Sequence, residues 1–204
     1  MNLAVNAQIA SVEHIDQRIC LHDINWQGYE ALLAMRGEQS GTRMAYLHGE
    51  LELMSPSINH ELLKKILARL LEAYAEERGI ELNGYGSWTI KSAEARCGVE
   101  PDECYTVGAR DSLPERPDIA IEIVWTAGGI EKLGIYQVLG VPEVWFWQKG
   151  GLRFFLLEDA GYVPSTRSRL WPDLDPALIA RCMSEASQTH AVRTLRAALR
   201  NPTS

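Results

Sequence analysis

Arg116-Pro117-Asp118-Ile119-Ala120-Ile121-Glu122-Ile123-Val124-Trp125 is the stretch whose reading decides the fold. Ile119, Ile121 and Ile123 alternate with Asp118, Ala120, Glu122 and Val124, the period-two pattern of a β-strand, and Pro117 announces its start. Positions two apart in a strand share a face, so Asp118, Ala120 and Glu122 are expected to point the same way. Carboxylates on a face that also carries Ala120 and Val124 are costly to bury without a cation or a hydrogen-bond donor. Behind this strand come the glycine turn Gly128-Gly129, a short amphipathic helix with Lys132, and the apolar run Val144-Trp145-Phe146-Trp147. Strand, short helix and second strand make a crossover unit over a sheet. The rest of the chain is expected to build a pocket around Glu122.

The bulk properties narrow the function classes. The chain has 204 residues, 46% hydrophobic and 23% charged, which fits an ordinary globular protein with one real core. A single domain is expected: an N-terminal arm over 1–23, a core over 24–165 and a C-terminal helical segment over 166–204. Cys20, Cys97, Cys104 and Cys182 are widely spaced with no C-x-x-C pair, which favours inert reduced thiols over a disulfide scaffold or zinc site. No apolar run approaches the roughly 20 residues needed to span a membrane, and no secretory signal opens the chain. A cytoplasmic protein without a membrane partner is therefore expected. The net charge of −7 is the opposite of the basic footprint of a duplex-DNA binder, so any basic surface must be local.

Toward the N-terminus, Asn25 caps an expected helix over 25–35 in which Trp26, Tyr29, Leu32 and Leu33 recur at helical spacing. Met44–Leu47 and Leu51–Met54 flank His48-Gly49 as a tight hairpin. The longest helix is expected from Ser57 to Gly79, with Ile58, Leu62, Ile66 and Leu70 among its apolar stripe. Its charged face, with Lys64, Lys65, Arg69, Glu72, Glu76 and Glu77, reads as solvated surface. Residues 80–91 read as a strand pair or one long strand, and a short strand is expected near Asp102. Past residue 149 a meander is expected, then helices over 176–183 and about 187–199. The second is basic (His190, Arg193, Arg196, Arg200) and suits packing on the body or contact with a partner.

Asp102 and Glu122 belong to neighbouring strand candidates. Two carboxylates converging from adjacent strands form a hard-oxygen site suited to Mg²⁺ or Mn²⁺. Such an ion polarises a phosphoryl oxygen and makes hydroxide accessible near neutral pH. A lysine beside it stabilises negative charge or orients the water, and Lys132 can reach back from its helix. Pro101-Asp102, Pro117-Asp118 with Glu122-Ile123-Val124, Glu131-Lys132 with Tyr136, and Gly140-Val141-Pro142-Glu143-Val144-Trp145 together resemble the Uma2 family, also called DUF820. Gly49-Glu50-Leu51-Glu52-Leu53-Met54-Ser55-Pro56 and His60 resemble its N-terminal half, so the likeness runs over roughly residues 26–160. The resemblance implies a restriction-endonuclease-like α/β core: a central mixed β-sheet flanked by helices, with an Asp, a Glu and a Lys around a divalent metal. In the wider PD-(D/E)xK superfamily the lysine lies two residues after the strand acid. Val124 stands there in this chain, so the resemblance carries the role to Lys132. Trp125-Thr126-Ala127-Gly128-Gly129 departs from the Ser-Pro-Ser-like turn common in the family.

The expected site is thus Asp102 and Glu122 as metal ligands and Lys132 as the third acting group, with Asp118 and His60 in support. Each has a plainer reading. Asp102 and Asp118 suit turns at strand starts, Lys132 a solvated helix, and His60 a satisfied structural histidine. Glu50 and Glu61 read as surface, Tyr136 as core on the helix face, and Trp145 and Trp147 as sheet packing. The expected function is Mg²⁺-dependent hydrolysis of phosphodiester bonds, with DNA as partner and a homodimer as the default assembly for such a fold. Two other classes stay open: a nuclease-fold binding module without turnover, and a structural dimer built on the Trp-rich sheet edge.

Overall fold

The computed structural model describes residues 15–37, 41–125 and 130–201. The first fourteen residues of the expected arm and the Gly128-Gly129 turn lie outside these. In chain order the elements are β1 (Gln17–Leu21), α1 (Trp26–Arg36), β2 (Arg43–Leu47), β3 (Glu50–Ser55), α2 (Ile58–Arg78), β4 (Leu82–Gly84), β5 (Ile90–Ser92) and β6 (Cys97–Val99). They continue with β7 (Glu103–Val107), β8 (Ile119–Val124), α3 (Lys132–Val138), β9 (Glu143–Gln148), β10 (Gly151–Glu158), β11 (Gly161–Ser165), α4 (Pro176–Met183) and α5 (Gln188–Arg200).

The strands form two sheets. One is antiparallel in the order β1-β3-β2-β6-β5; the other is mixed, in the order β11-β10-β9-β8-β7-β4. The mixed character comes from the crossover unit: β8 and β9 pair in parallel, Ile121 opposite Trp145, with α3 between them. The architecture is mixed α/β, with one antiparallel and one mixed sheet flanked by helices, in keeping with the expected core.

Alternation along β8 divides the molecule into layers. Ile119, Ile121 and Ile123 pack with Trp145, Trp147 and Phe154 against α2, α4 and α5. Each such isoleucine, fully withdrawn from water, contributes about 2 kcal/mol. Ala120 and Val144 face the other way, where Ile135 and Tyr136 of α3 meet Ala45, Cys97 and Val99 of the antiparallel sheet. On that sheet's far side Met44, Tyr46 and Leu51 pack on Tyr29 of α1. Glu122 shares a face with Ala120, so it lies in the layer between α3 and the two sheets.

Several expectations are refined. Residues 80–91 are neither one strand nor a pair: β4 joins β7 in the mixed sheet, while β5 joins β6 in the other. The break falls where Gly84 and Gly86 interrupt side-chain pairing and Gly86 takes φ 62. The arm's last residues pair as β1 with β3 rather than running free. The charged face of α2 is partly covered by α5. Arg69 donates to Gln188, Arg196 to Glu76, and Arg200 makes two bonds to Glu77 at 2.9 and 2.6 Å. The basic C-terminal helix therefore packs on the body. Ser57 caps α2 by accepting from the His60 amide, and Gly79 closes it in the left-handed conformation.

The α1 layer generates a test. Among the described residues the buried Tyr29 hydroxyl has no hydrogen-bond partner, and a Cβ on Gly98 would collide with it. Gly98→Ala should destabilise by about 1–3 kcal/mol through overpacking, whereas Tyr29→Phe should be near neutral because it removes an unsatisfied polar atom. Together they should cost less than Gly98→Ala alone. Urea midpoints of the three variants decide it; additive losses would refute the contact.

Candidate active site

Glu122 is 3% exposed in the middle of β8, where an ionised carboxylate must find donors. Both come from α3. Lys132 Nζ lies 2.6 Å from Glu122 Oε2, and the Tyr136 hydroxyl donates to Oε1 at 2.5 Å. Residues four apart on a helix share one face, so 132 and 136 reach the same carboxylate as a pair. Burial, and then the Glu122 charge, push the Tyr136 phenol well above its usual value, keeping it a donor. Glu131 caps α3 by accepting from Leu133 and Gly134. Glu52 of β3 accepts from the Ile130 amide at 3.1 Å and so fixes the approach to the helix.

Asp102 immediately precedes β7. Extending the β7–β8 register by one step sets it opposite Glu122 on the adjacent strand. It has its own donors. Oδ2 accepts from the Ile123 amide at 2.5 Å and lies 3.0 Å from His60 Nε2; Oδ1 accepts from Arg43. Arg43, at the start of β2, also donates to Glu61 at 2.7 Å. His60, wholly buried in the first turn of α2, faces Asp16 at 3.0 Å through Nδ1. Burial works to raise the Asp16 carboxyl, but hydrogen bonds from His60 and the Ser57 amide outweigh it and hold it well below the usual carboxylate range. Arg18 lies 3.7 Å from Asp16 and 3.4 Å from Glu52, joining the two networks.

Among the expected residues, the fold gathers Glu122 with Lys132 and Asp102 with His60. Asp118 stands apart: its carboxylate turns to the Val107 amide at 2.8 Å and to Arg110 at 2.7 Å, the work of a strand-entrance aspartate. Glu61 is half-buried and bonded to Arg43 and Lys64, while Glu50 is exposed beside His22. Tyr136 is core, as read, but also a ligand of Glu122. Arg43, Asp16 and Glu52 escaped the sequence reading. Arg43 opening an otherwise apolar strand was a usable signal, as was Glu52 alternating with leucines. Asp16, in a stretch without period, offered none.

Among the described residues, no group of three or more His, Cys, Asp and Glu side chains is arranged to hold a metal. The donor chemistry of Asp102 and Glu122 nevertheless fits Mg²⁺, a hard ion that keeps several waters and needs one or two carboxylates. Arg43 and Lys132 here balance the charge that such an ion would balance.

The Asp16 bonds carry a pH signature. A carboxyl whose folded pKa is depressed gives stability that is complete above its unfolded value, about 3.9, and fades as pH falls through it. The stability gap between wild type and Asp16→Asn should therefore be constant from pH 7 to 5 and shrink by about 1 kcal/mol by pH 3. Urea unfolding at the three pH values measures it. A gap that stays constant to pH 3 would remove Asp16 from the network.

No curated protein matches the chain. No helix among the described residues is long and apolar enough to cross a membrane. A family model described as "Uma2: Putative restriction endonuclease" matches residues 26–179, from the first residue of α1 into α4. With Arg43, His60, Asp102, Glu122, Lys132 and Tyr136 all inside a match over most of its length, the chain belongs to the Uma2 family.

Proposed function

We propose that this protein is a Mg²⁺-dependent endonuclease that hydrolyses phosphodiester bonds of DNA. Membership of a restriction-endonuclease family supports nuclease activity and nucleic-acid binding in general terms. The observation that carries the finer reading is the 2.6 Å contact between Lys132 and Glu122, on the strand beside Asp102. It brings the lysine to one acid, and the β7–β8 register sets the second acid opposite that one.

Asp102 and Glu122 would hold the ion, which when bound supplies Lewis-acid polarisation of the phosphate. The other roles belong to the chain. Lys132, anchored by Glu122, presents its ammonium to the attacking water or to the charge that grows on the phosphoryl oxygens. Tyr136 fixes the Glu122 carboxylate so that it does not rotate away. Arg43 and His60 orient Asp102, and Asp118 supports β8 from its entrance. A homodimer is the proposed assembly.

A second reading, a nuclease-fold binding module without turnover, is favoured by one observation. Both oxygens of Asp102 are already engaged, by Arg43, His60 and the Ile123 amide.

Purified Lys132→Ala should lose cleavage about 10²–10³-fold, the range for removing one transition-state donor. Glu122→Gln should lose as much and should also abolish Mg²⁺ or Mn²⁺ binding by calorimetry. Breaking a mostly buried pair also costs stability, about 3 kcal/mol, so each variant is checked by thermal melting before assay. Full cleavage by both folded variants would sink the proposal. Metal binding without cleavage of any nucleic acid would leave the binding module.

A further inference from the structure

We propose that the cleft beside Asp102 binds an unpaired stretch of DNA, with Tyr85 and Trp88 stacking on its bases. This deepens the nuclease reading above and rests on it. The cleft encloses about 1300 Å³, from the C-terminal end of α1 across the start of β2 and the first turn of α2 to the segment between β4 and β5. That exceeds the ~300–1,000 Å³ typical of small-molecule pockets. Arg43 lines it and is bonded to Asp102 behind it, so a strand lying here is linked to the proposed metal ligands through Arg43.

Tyr85 and Trp88 also line it, half-buried, with ring centroids 5.6 Å apart and planes tilted by 43°. Trp88 is also packed on the inter-sheet core, which holds the ring in place. Stacking on aromatic faces is open to a base that has left the duplex and closed to one sandwiched between its neighbours, so the rings select unpaired nucleotides. Arg36, Lys64 and Lys91 border the same cleft. Arg36 is bonded to Glu100 through both oxygens and stays with it. Lys64 pairs with Glu61, and Lys91 with Glu30, where lysine and glutamate are 43% and 39% exposed. The exposed Lys91–Glu30 pair contributes little and exchanges readily for a phosphate, whereas the Lys64 side chain is 20% exposed and its partner Glu61 is shared with Arg43. One transferable ammonium group with a second beside it suits a short single strand better than the many phosphates of a duplex, and the net charge of −7 points the same way.

The test is fluorescence anisotropy in EDTA, where binding is read without cleavage, on the full chain. The probes are an oligodeoxythymidine of about twelve nucleotides, a blunt hairpin duplex and the matching oligouridine. Wild type should bind the oligodeoxythymidine at least about tenfold more tightly than the hairpin. Trp88→Ala should lose about tenfold of that affinity, while Trp88→Phe keeps most of it. Lys64→Glu with Lys91→Glu should weaken binding and flatten its salt dependence. Equal or tighter duplex binding, tighter oligouridine binding, or unchanged affinity in a Trp88→Ala protein with wild-type melting would overturn the proposal. Should Trp88→Ala melt early, Tyr85→Ala decides by the same criterion. Trp88-dependent binding without cleavage in Mg²⁺ would refute the nuclease and keep the cleft. Cleavage indifferent to Trp88 would do the reverse.

Discussion

A carboxylate in the middle of a buried strand is the constraint on which the rest of this structure depends. Glu122 could be removed from the problem by an apolar side chain, and buried ion pairs are often replaced by hydrophobic groups with no loss of stability. The chain instead surrounds it with specific partners. The crossover between β8 and β9 must deliver a helix whose residues 132 and 136 point back at the strand. That helix must be held at its start, by Glu131 and through the Glu52–Ile130 bond. The parallel pairing, the short helix and the glutamate on β3 all follow from neutralising one charge.

Asp102 imposes a second demand on different elements. It draws Arg43 from β2 and His60 from α2, and His60 draws Asp16 from the segment before β1. The antiparallel sheet, the long helix and the N-terminal segment are thereby tied to the edge of β7. Asp102 and Glu122 use separate donors although they sit on adjacent strands, and Arg18 links the two networks one step further out. An arrangement serving stability alone would gain by omitting the charges. The separate donors instead fix two facing carboxylates in place on adjacent strands.

Much of this was legible in the sequence because it follows periodicity. The β8 pattern, the Ser57 cap, the Gly79 stop and the His48-Gly49 hairpin are local signals, and the fold obeys them. Lys132 near Glu122 was legible through the family pattern, since spacing alone gives no angle between a strand and the following helix. The split of 80–91 into two sheets was not, because two strands of three residues have too little pattern to declare their partners. Asp16 was obscure for another reason: its long-range pair with His60 leaves no local trace, and Arg43, though conspicuous at the head of an apolar strand, does not announce its partner. Asp118 shows the converse, a residue inside the motif whose carboxylate bonds go to the end of β7 and to the loop between β7 and β8.

The acidic balance of the chain also takes on a different meaning once the pairs are placed. Glu52, Glu100, Asp102, Glu122 and Glu143 are all buried, and each meets hydrogen-bond donors inside the protein. Arg18, Arg36, Arg43 and Lys132 pair with the first four, whereas Glu143 accepts from neutral groups, Trp145, Ser168 and the amides of Arg169 and Leu170. Pairing removes one charge of each sign and leaves the net −7 unchanged, but a charge matched at hydrogen-bond distance contributes little field beyond a Debye length of about 8–10 Å. What a nucleic acid would meet is the residue of surface charges, arranged locally. The −7 therefore argues against a broad, sequence-independent grip on duplex DNA and says little about a narrow cleft whose rim carries Lys64, Lys91 and two aromatic rings.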